Sequence, residues 1–267
     1  MTTSAGSPPL DDDYFICNGC GAPSSPTEEH LVHRDIARVL LAAPKSPRRD
    51  VRPSLEGGFF SGFVHSNGQN QSLGRVNFNA AIDNLLCGEC NRHKAGPLEA
   101  QAGKALQSFL VDGAVADFSL LRRWAWYFAL KFWWYKRPTE DLRAGVLFPV
   151  LSTLFREGSS VDLRVRVADL AADHNLYSYM WVAESDGAFF KYAMWVTRGL
   201  VWIVLPSSLL LPMPEPVSRV PTVELMNVRR SDLPRIRPRN LAALPAVENI
   251  LADKRIGEAI SVHAGRP

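Results

Sequence analysis

The sequence predicts an α+β protein with a metal-stapled N-terminal module, a helical segment, and a C-terminal antiparallel meander closed by a terminal helix. Three observations carry that prediction. All four cysteines fall in two Cys-x-x-Cys pairs, Cys17 with Cys20 and Cys87 with Cys90. An aromatic run over about 117–136 has the length of a helix and holds no proline. Residues 176–184, 188–196 and 199–205 read as three strands in series, with Asp186-Gly187 and Arg198-Gly199 at the junctions, the composition of tight hairpin turns.

At 267 residues the chain is long enough to bury roughly 70–75% of its unfolded surface. Its hydrophobic content of 46% and charged content of 21% are ordinary for a folded protein and exclude disorder over the whole length. A net charge of +3 permits contact with a polyanion without requiring one. Residues 1–13 (MTTSAGSPPLDDD) have neither a basic start nor an apolar stretch, so they read as a flexible leader, and a cytoplasmic location is expected. The run from Phe118 to Tyr135 is interrupted by Arg122, Arg123 and Lys131, so no membrane span is expected there.

Paired thiols in a reducing compartment more often hold metal than form disulfides. A two-residue gap lets both sulfurs of one turn face the same ion, and two such turns supply the four soft ligands of a tetrahedral structural zinc site: Cys17, Cys20, Cys87 and Cys90. Redox doublets and free core thiols are the alternatives. A dithiol redox site usually follows a strand within a βαβ unit, and the first pair has no such βαβ context.

Along the rest of the chain, Tyr14–Ile16 suggests a short strand. Leu31, Ile36, Val39 and Leu40 suggest a helix that begins near His30 and ends before Pro44. Residues 43–75 are rich in Pro, Gly, Ser, Asn and Gln and read as a long loop with a short strand near 59–64. Pro97 is placed to open a helix over about 98–112. In the aromatic run, Arg122, Arg123, Lys131, Lys136 and Arg137 suggest phosphate contacts and the tryptophans suggest base stacking, but aromatic residues spread round a helix point more strongly to core. Residues 161–167 (VDLRVRV) alternate as a half-buried strand does. A proline-rich connection follows Leu205, and a helix near 241–259 ends the chain.

Between the cysteine pairs stands Glu28-Glu29-His30, and the second pair is embedded in Asn84-Leu-Leu-Cys87-Gly-Glu-Cys90-Asn91-Arg92-His93-Lys94. This pattern resembles the zinc-stapled branch of the HNH (ββα-metal) endonucleases, and more narrowly an uncharacterised bacterial group. The motifs that carry the likeness are Glu29-His30, Cys90-Asn91, Leu98-Glu99 and the aromatic segment round Trp124, so it covers about residues 14–135. The resemblance implies a domain layout of leader 1–13, nuclease-like zinc module 14–112 with an insertion over about 43–75, and accessory region 113–267. It implies metal-dependent hydrolysis of phosphodiester bonds in DNA, with RNA as the second substrate.

The implied roles follow residue by residue. His30 is the general base, suited to it by histidine's ordinary pKa of about 6.5. Glu29 and Asn91 hold a catalytic Mg²⁺ or Mn²⁺. Asn84 braces the loop that carries the base, and Arg92, His93 and Lys94 lie near the phosphates. His33 competes with His30 as base and His93 with Asn91 as ligand. The family often has Asp where Glu29 stands, and proline with glycines shortly after the histidine, where this chain has Leu-Val-His-Arg-Asp. A catalytically inactive zinc-stapled nucleic-acid-binding or protein-interaction module is the alternative reading. The accessory region is expected to serve specificity, a partner protein or a homodimer.

Overall fold

The structure is a computed structural model that describes residues 14–41, 59–66, 69–112, 114, 117–136, 147–156, 163–170, 180–185, 190–206, 213–245 and 247. Two short strands, β1 (Phe15–Ile16) and β2 (Pro23–Ser24), pair antiparallel round the first cysteine turn. Next come β3 (Glu28–His30) and α1 (Arg34–Leu41), then the hairpin β4 (Phe59–Ser66) and β5 (Gln69–Asn77), then β6 (Ala81–Asp83). β3 and β6 form their own antiparallel pair, Glu29 opposite Ile82 and His30 opposite Ala81.

One continuous helical stretch follows. It runs through α2 (Gly88–Cys90), a wider π-helical turn at Asn91–Ala95, α3 (Gly96–Gln107) and a second π-helical turn at Ser108–Asp112. Helices α4 (Phe118–Lys136) and α5 (Phe148–Leu154) precede β7 (Arg164–Leu170), β8 (Met180–Ser185), β9 (Phe190–Thr197) and β10 (Leu200–Leu205). The short elements α6 (Glu215–Ser218), β11 (Val223–Glu224), β12 (Arg235–Ile236) and α7 (Pro238–Leu241) complete the described fold.

The fold is α+β with a predominantly antiparallel main sheet, in the order β11-β7-β10-β9-β8-β4-β5 with β12 beside β7. The expected meander is present as β8, β9 and β10; only the pairings of β4 with β8 and β12 with β7 are parallel. Strands β9 and β10 are buried on both faces, and alternate residues go to two separate cores. Trp195, Trp202 and Val204 face α4, whereas Tyr192, Met194, Val196, Val201 and Ile203 face Val217, Leu241 and Leu244 beyond the sheet. The cross-strand pair Trp195 and Trp202 is stacked at 6.1 Å, and Trp124 of α4 meets both edge-on at 6.3 and 5.6 Å. The tryptophans of α4 are therefore core rather than a base-stacking platform. Its arginines hold carbonyls: Arg122 donates to Leu163 O, and Arg123 to Leu154 O at 2.7 Å. Arg137 lies outside the described residues. No helix among the described residues is long and apolar enough to cross a membrane.

Three local expectations need correction. The helix expected to begin near His30 begins at Arg34, and Glu28–His30 is a strand, because its identity comes from pairing with Ala81–Asp83 and not from local periodicity. The short strand expected near 59–64 is present as β4, but residues 69–75, read as loop, belong to β5, and the two strands form an antiparallel hairpin. They join the main sheet through β8, so their strand character depends on a partner more than a hundred residues away. As expected, Pro97 stands in the first turn of α3, and the wider turn at Asn91–Ala95 joins this helix to the stretch that begins at Gly88. The proline-rich connection carries α6, β11 and β12. The leader, residues 43–58, the Asp186-Gly187 turn and the terminal helix beyond Val247 lie outside the described residues.

Trp124 is fully buried against both sheet tryptophans, so Trp124→Ala should destabilise the protein by about 3–5 kcal/mol, measured by urea unfolding.

Candidate metal centre and adjoining cleft

The two cysteine turns close on each other. The Sγ atoms of Cys17, Cys20, Cys87 and Cys90 all lie within 4.8 Å of one another, with Cys20 and Cys87 at 3.9 Å. A tetrahedron built on zinc–sulfur bonds of about 2.3 Å has edges of about 3.8 Å, so the four thiols can hold a metal such as zinc. The turns are shaped for thiolates: Gly19 N and Cys87 N donate to Cys17 Sγ at 3.3 and 3.1 Å, and Cys90 N donates to Cys87 Sγ at 3.4 Å. At Cys17 burial pushes the thiol up, but the N–H bonds from Cys87 and Gly19 outweigh it and hold the group below its ordinary value. Burial drives Cys90 well above. Gly19 has no room for a side chain, since a Cβ there would stand 2.9 Å from Leu86 Cδ2 and 3.1 Å from Cys90 Sγ. Asn18 ties the turns together, its backbone N and its Nδ2 both donating to Leu85 O.

Beside this cluster lies a cleft of about 620 Å³, lined by Glu28, Glu29, His30 and His33 on one side, Gly88, Asn91, Arg92, Gly96 and Glu99 on the other, and Lys131. The fold thus brings His30, Glu29, Asn91 and Arg92 together. Asn84, His93 and Lys94 do not line this cleft. Asn84, at a φ of 57°, grips Thr27 instead: its Oδ1 accepts from Thr27 N and its N–H donates to Thr27 O, both at 3.0 Å. That clamp fixes the start of the strand carrying His30. His93 and Lys94 are exposed, and His93 Nε2 stands 3.4 Å from Glu89. Asn91 opens the wide turn, where Gly96 N–H donates back to Asn91 O, five residues earlier.

The two histidines differ in setting. His30 is exposed on β3, whereas His33 is half-buried and its Nδ1 accepts from Asp35 N at 3.3 Å, capping α1. Burial lowers the His33 imidazole, against the pull of Asp35.

The strand pattern of β3 turns Glu28 and His30 outward and Glu29 inward. Glu29 is only 8% exposed, with Oε2 accepting from Tyr127 Oη at 2.9 Å and Oε1 lacking a hydrogen-bond partner among the described residues. Behind it, Lys131 Nζ donates to Glu99 Oε1 at 3.1 Å, both side chains almost wholly buried. Burial raises the Glu29 and Glu99 carboxyls, partly countered by the Lys131 charge. These floor residues Glu99, Tyr127 and Lys131 were missed as site residues, although Leu98-Glu99 stood in the motif. Lys131 stood among the basic residues of the aromatic run, read there as a phosphate contact and not as the partner of a buried glutamate.

Among the described residues, the four cysteines form the single cluster of three or more metal-ligating side chains. No family model, curated protein or solved structure matches the chain.

The raised Glu29 carboxyl makes a signed prediction. Its folded-state value lies above the unfolded one, so the native state keeps the proton longer and Glu29 lowers stability increasingly as pH rises from the ordinary glutamate range through the raised value. Glu29→Gln, without added divalent cation, should therefore gain stability relative to wild type on going from about pH 5 to about pH 8. Urea unfolding at both pH values measures it.

Proposed function

We propose that the chain is a metal-dependent endonuclease of HNH type that hydrolyses phosphodiester bonds in DNA, with RNA as the second substrate class. The observation that carries this reading is the convergence of Glu29, His30, Asn91 and Arg92 on one cleft beside the four-cysteine cluster. An antiparallel pair of strands, β3 and β6, followed by the helical stretch from Gly88 supports the ββα reading.

The residues take these parts. The exposed imidazole of His30 takes a proton from the attacking water. The grip of Asn84 on Thr27 holds that imidazole in place through the strand. Glu29 Oε1, a buried acceptor with no partner among the described residues, and the Asn91 side chain suit the ligand set of a hard cation, Mg²⁺ or Mn²⁺. Such an ion supplies charge stabilisation at the phosphate when bound. Arg92 binds a phosphate oxygen at the cleft wall, while His93 and Lys94 meet the flanking backbone. The capping bond of His33 supports His30 over it as base. The zinc on the four cysteines is structural, with all four positions taken by protein sulfur.

One observation favours a second reading. Glu29 is the inward residue of its strand, and no cluster of three carboxylate or imidazole ligands stands in the cleft among the described residues. That arrangement suits an inactive nucleic-acid-binding module, held to its partner by phosphate contacts and strongly salt-dependent.

Supercoiled plasmid incubated with the zinc-loaded protein should be nicked with Mg²⁺ or Mn²⁺ and left intact with none. His30→Ala should lower the rate at least about 100-fold while keeping its zinc. Salt-sensitive binding with no cleavage of plasmid, single strands or RNA would establish the second reading instead. Elemental analysis should find one zinc per chain, and Cys90→Ser should lose it together with cooperative unfolding, since such sites contribute on the order of 10 kcal/mol.

A further inference from the structure

The hydroxyl of Tyr127 comes from α4 and reaches Glu29, one of the two acidic side chains buried at the cleft. Its donor bond to Glu29 Oε2 spans 2.9 Å between residues 98 positions apart. The ring that carries this hydroxyl is itself held on two sides: Lys131 Nζ stands 5.2 Å from its centroid, and the Phe155 ring meets it edge-on at 5.4 Å. Lys131 in turn is fixed by Glu99 at 3.1 Å. A carboxyl on a three-residue strand has rotamers to spare, and this chain of contacts removes them. One oxygen is taken and the other, Oε1, is left buried at the cleft without a partner among the described residues.

We propose that Tyr127 is a positioning residue for divalent-cation binding: by holding Oε2 of Glu29 it fixes the carboxyl so that Oε1 is the oxygen presented to the ion. The inference rests on the reading that Glu29 is a ligand of the cleft. Outer-sphere donors of this kind orient a ligand before the ion arrives, and removing one costs about 10- to 100-fold in metal affinity. Tyr127→Phe takes away the hydroxyl while keeping the ring that Lys131 and Phe155 contact. Tyr127→Met, an unbranched filler of the same space, is the second variant without the hydroxyl.

The experiment is a Mn²⁺ titration of the zinc-loaded full chain, followed by the paramagnetic resonance signal of the free ion, with zinc content and far-UV circular dichroism recorded for each variant. Wild type is expected to bind one Mn²⁺, Glu29→Gln to lose it, and both Tyr127 variants to bind at least about tenfold more weakly with zinc unchanged. In a Glu29→Asp background, whose carboxylate is drawn back from the hydroxyl, Tyr127→Phe is expected to add no further loss. A purely structural tyrosine would lower the unfolding midpoint and leave Mn²⁺ affinity of the folded protein within twofold of wild type. That result, with Glu29→Gln still losing the ion, overturns the role of Tyr127 and leaves the ligand reading standing. Wild type that binds no Mn²⁺, or Glu29→Gln that binds it normally, overturns both.

Discussion

The sulfurs of residues 17–20 and 87–90 lie within 4.8 Å of one another, and this closure of the two cysteine turns brings together the segments that frame the cleft. The first cysteine turn leads into β3, and the second begins the helical stretch that bears Asn91 and Arg92. With the turns joined, β3 is delivered beside β6 and the start of the helix beside both. The surrounding hydrogen bonds reinforce the closure: Asn18 to Leu85, Thr27 to Leu86, and Asn84 to Thr27 all cross between the same two segments. Without it, a two-stranded pair of three residues each would have little to keep its register, because isolated short hairpins are marginal in water.

A second constraint comes from α4. Trp124 packs against Trp195 and Trp202 of the sheet and Trp126 and Trp133 against Phe190, while Lys131 lines the cleft, Tyr127 reaches Glu29, and Trp134 Nε1 donates to Asp83 O on β6 at 3.0 Å. One helix therefore serves as both core and back wall. The Lys131–Glu99 pair is costly to desolvate and gains only through close geometry, so its presence is poor evidence for stability in itself. Its position directly behind Glu29 gives it a reason: it keeps two buried carboxyls and a tyrosine in a fixed arrangement where an ion is proposed to bind.

The hairpin β4-β5 links the two regions differently. It lies in sequence between β3 and β6, yet in space it extends the main sheet through its parallel pairing with β8.

The sequence by itself determined the four-cysteine cluster, the meander of β8, β9 and β10, and the aromatic helix over Phe118–Lys136. Each rests on a local signal: a two-residue spacing, turn composition at the strand junctions, or a proline-free aromatic run of helical length. It also picked out Glu29, His30, Asn91 and Arg92, whose shared cleft the fold then formed. Tertiary structure alone decided the rest. Glu28–His30 is a strand because Ala81–Asp83 lies beside it, and residues 69–77 are a strand because β4 does. Glu29 was legible as an acidic residue beside a histidine, but its burial, its bond to Tyr127 and the neighbouring Lys131–Glu99 pair were not. Those depend on which side chains from α3 and α4 arrive at the same point, and no spacing along the chain encodes a contact between residues 98 positions apart.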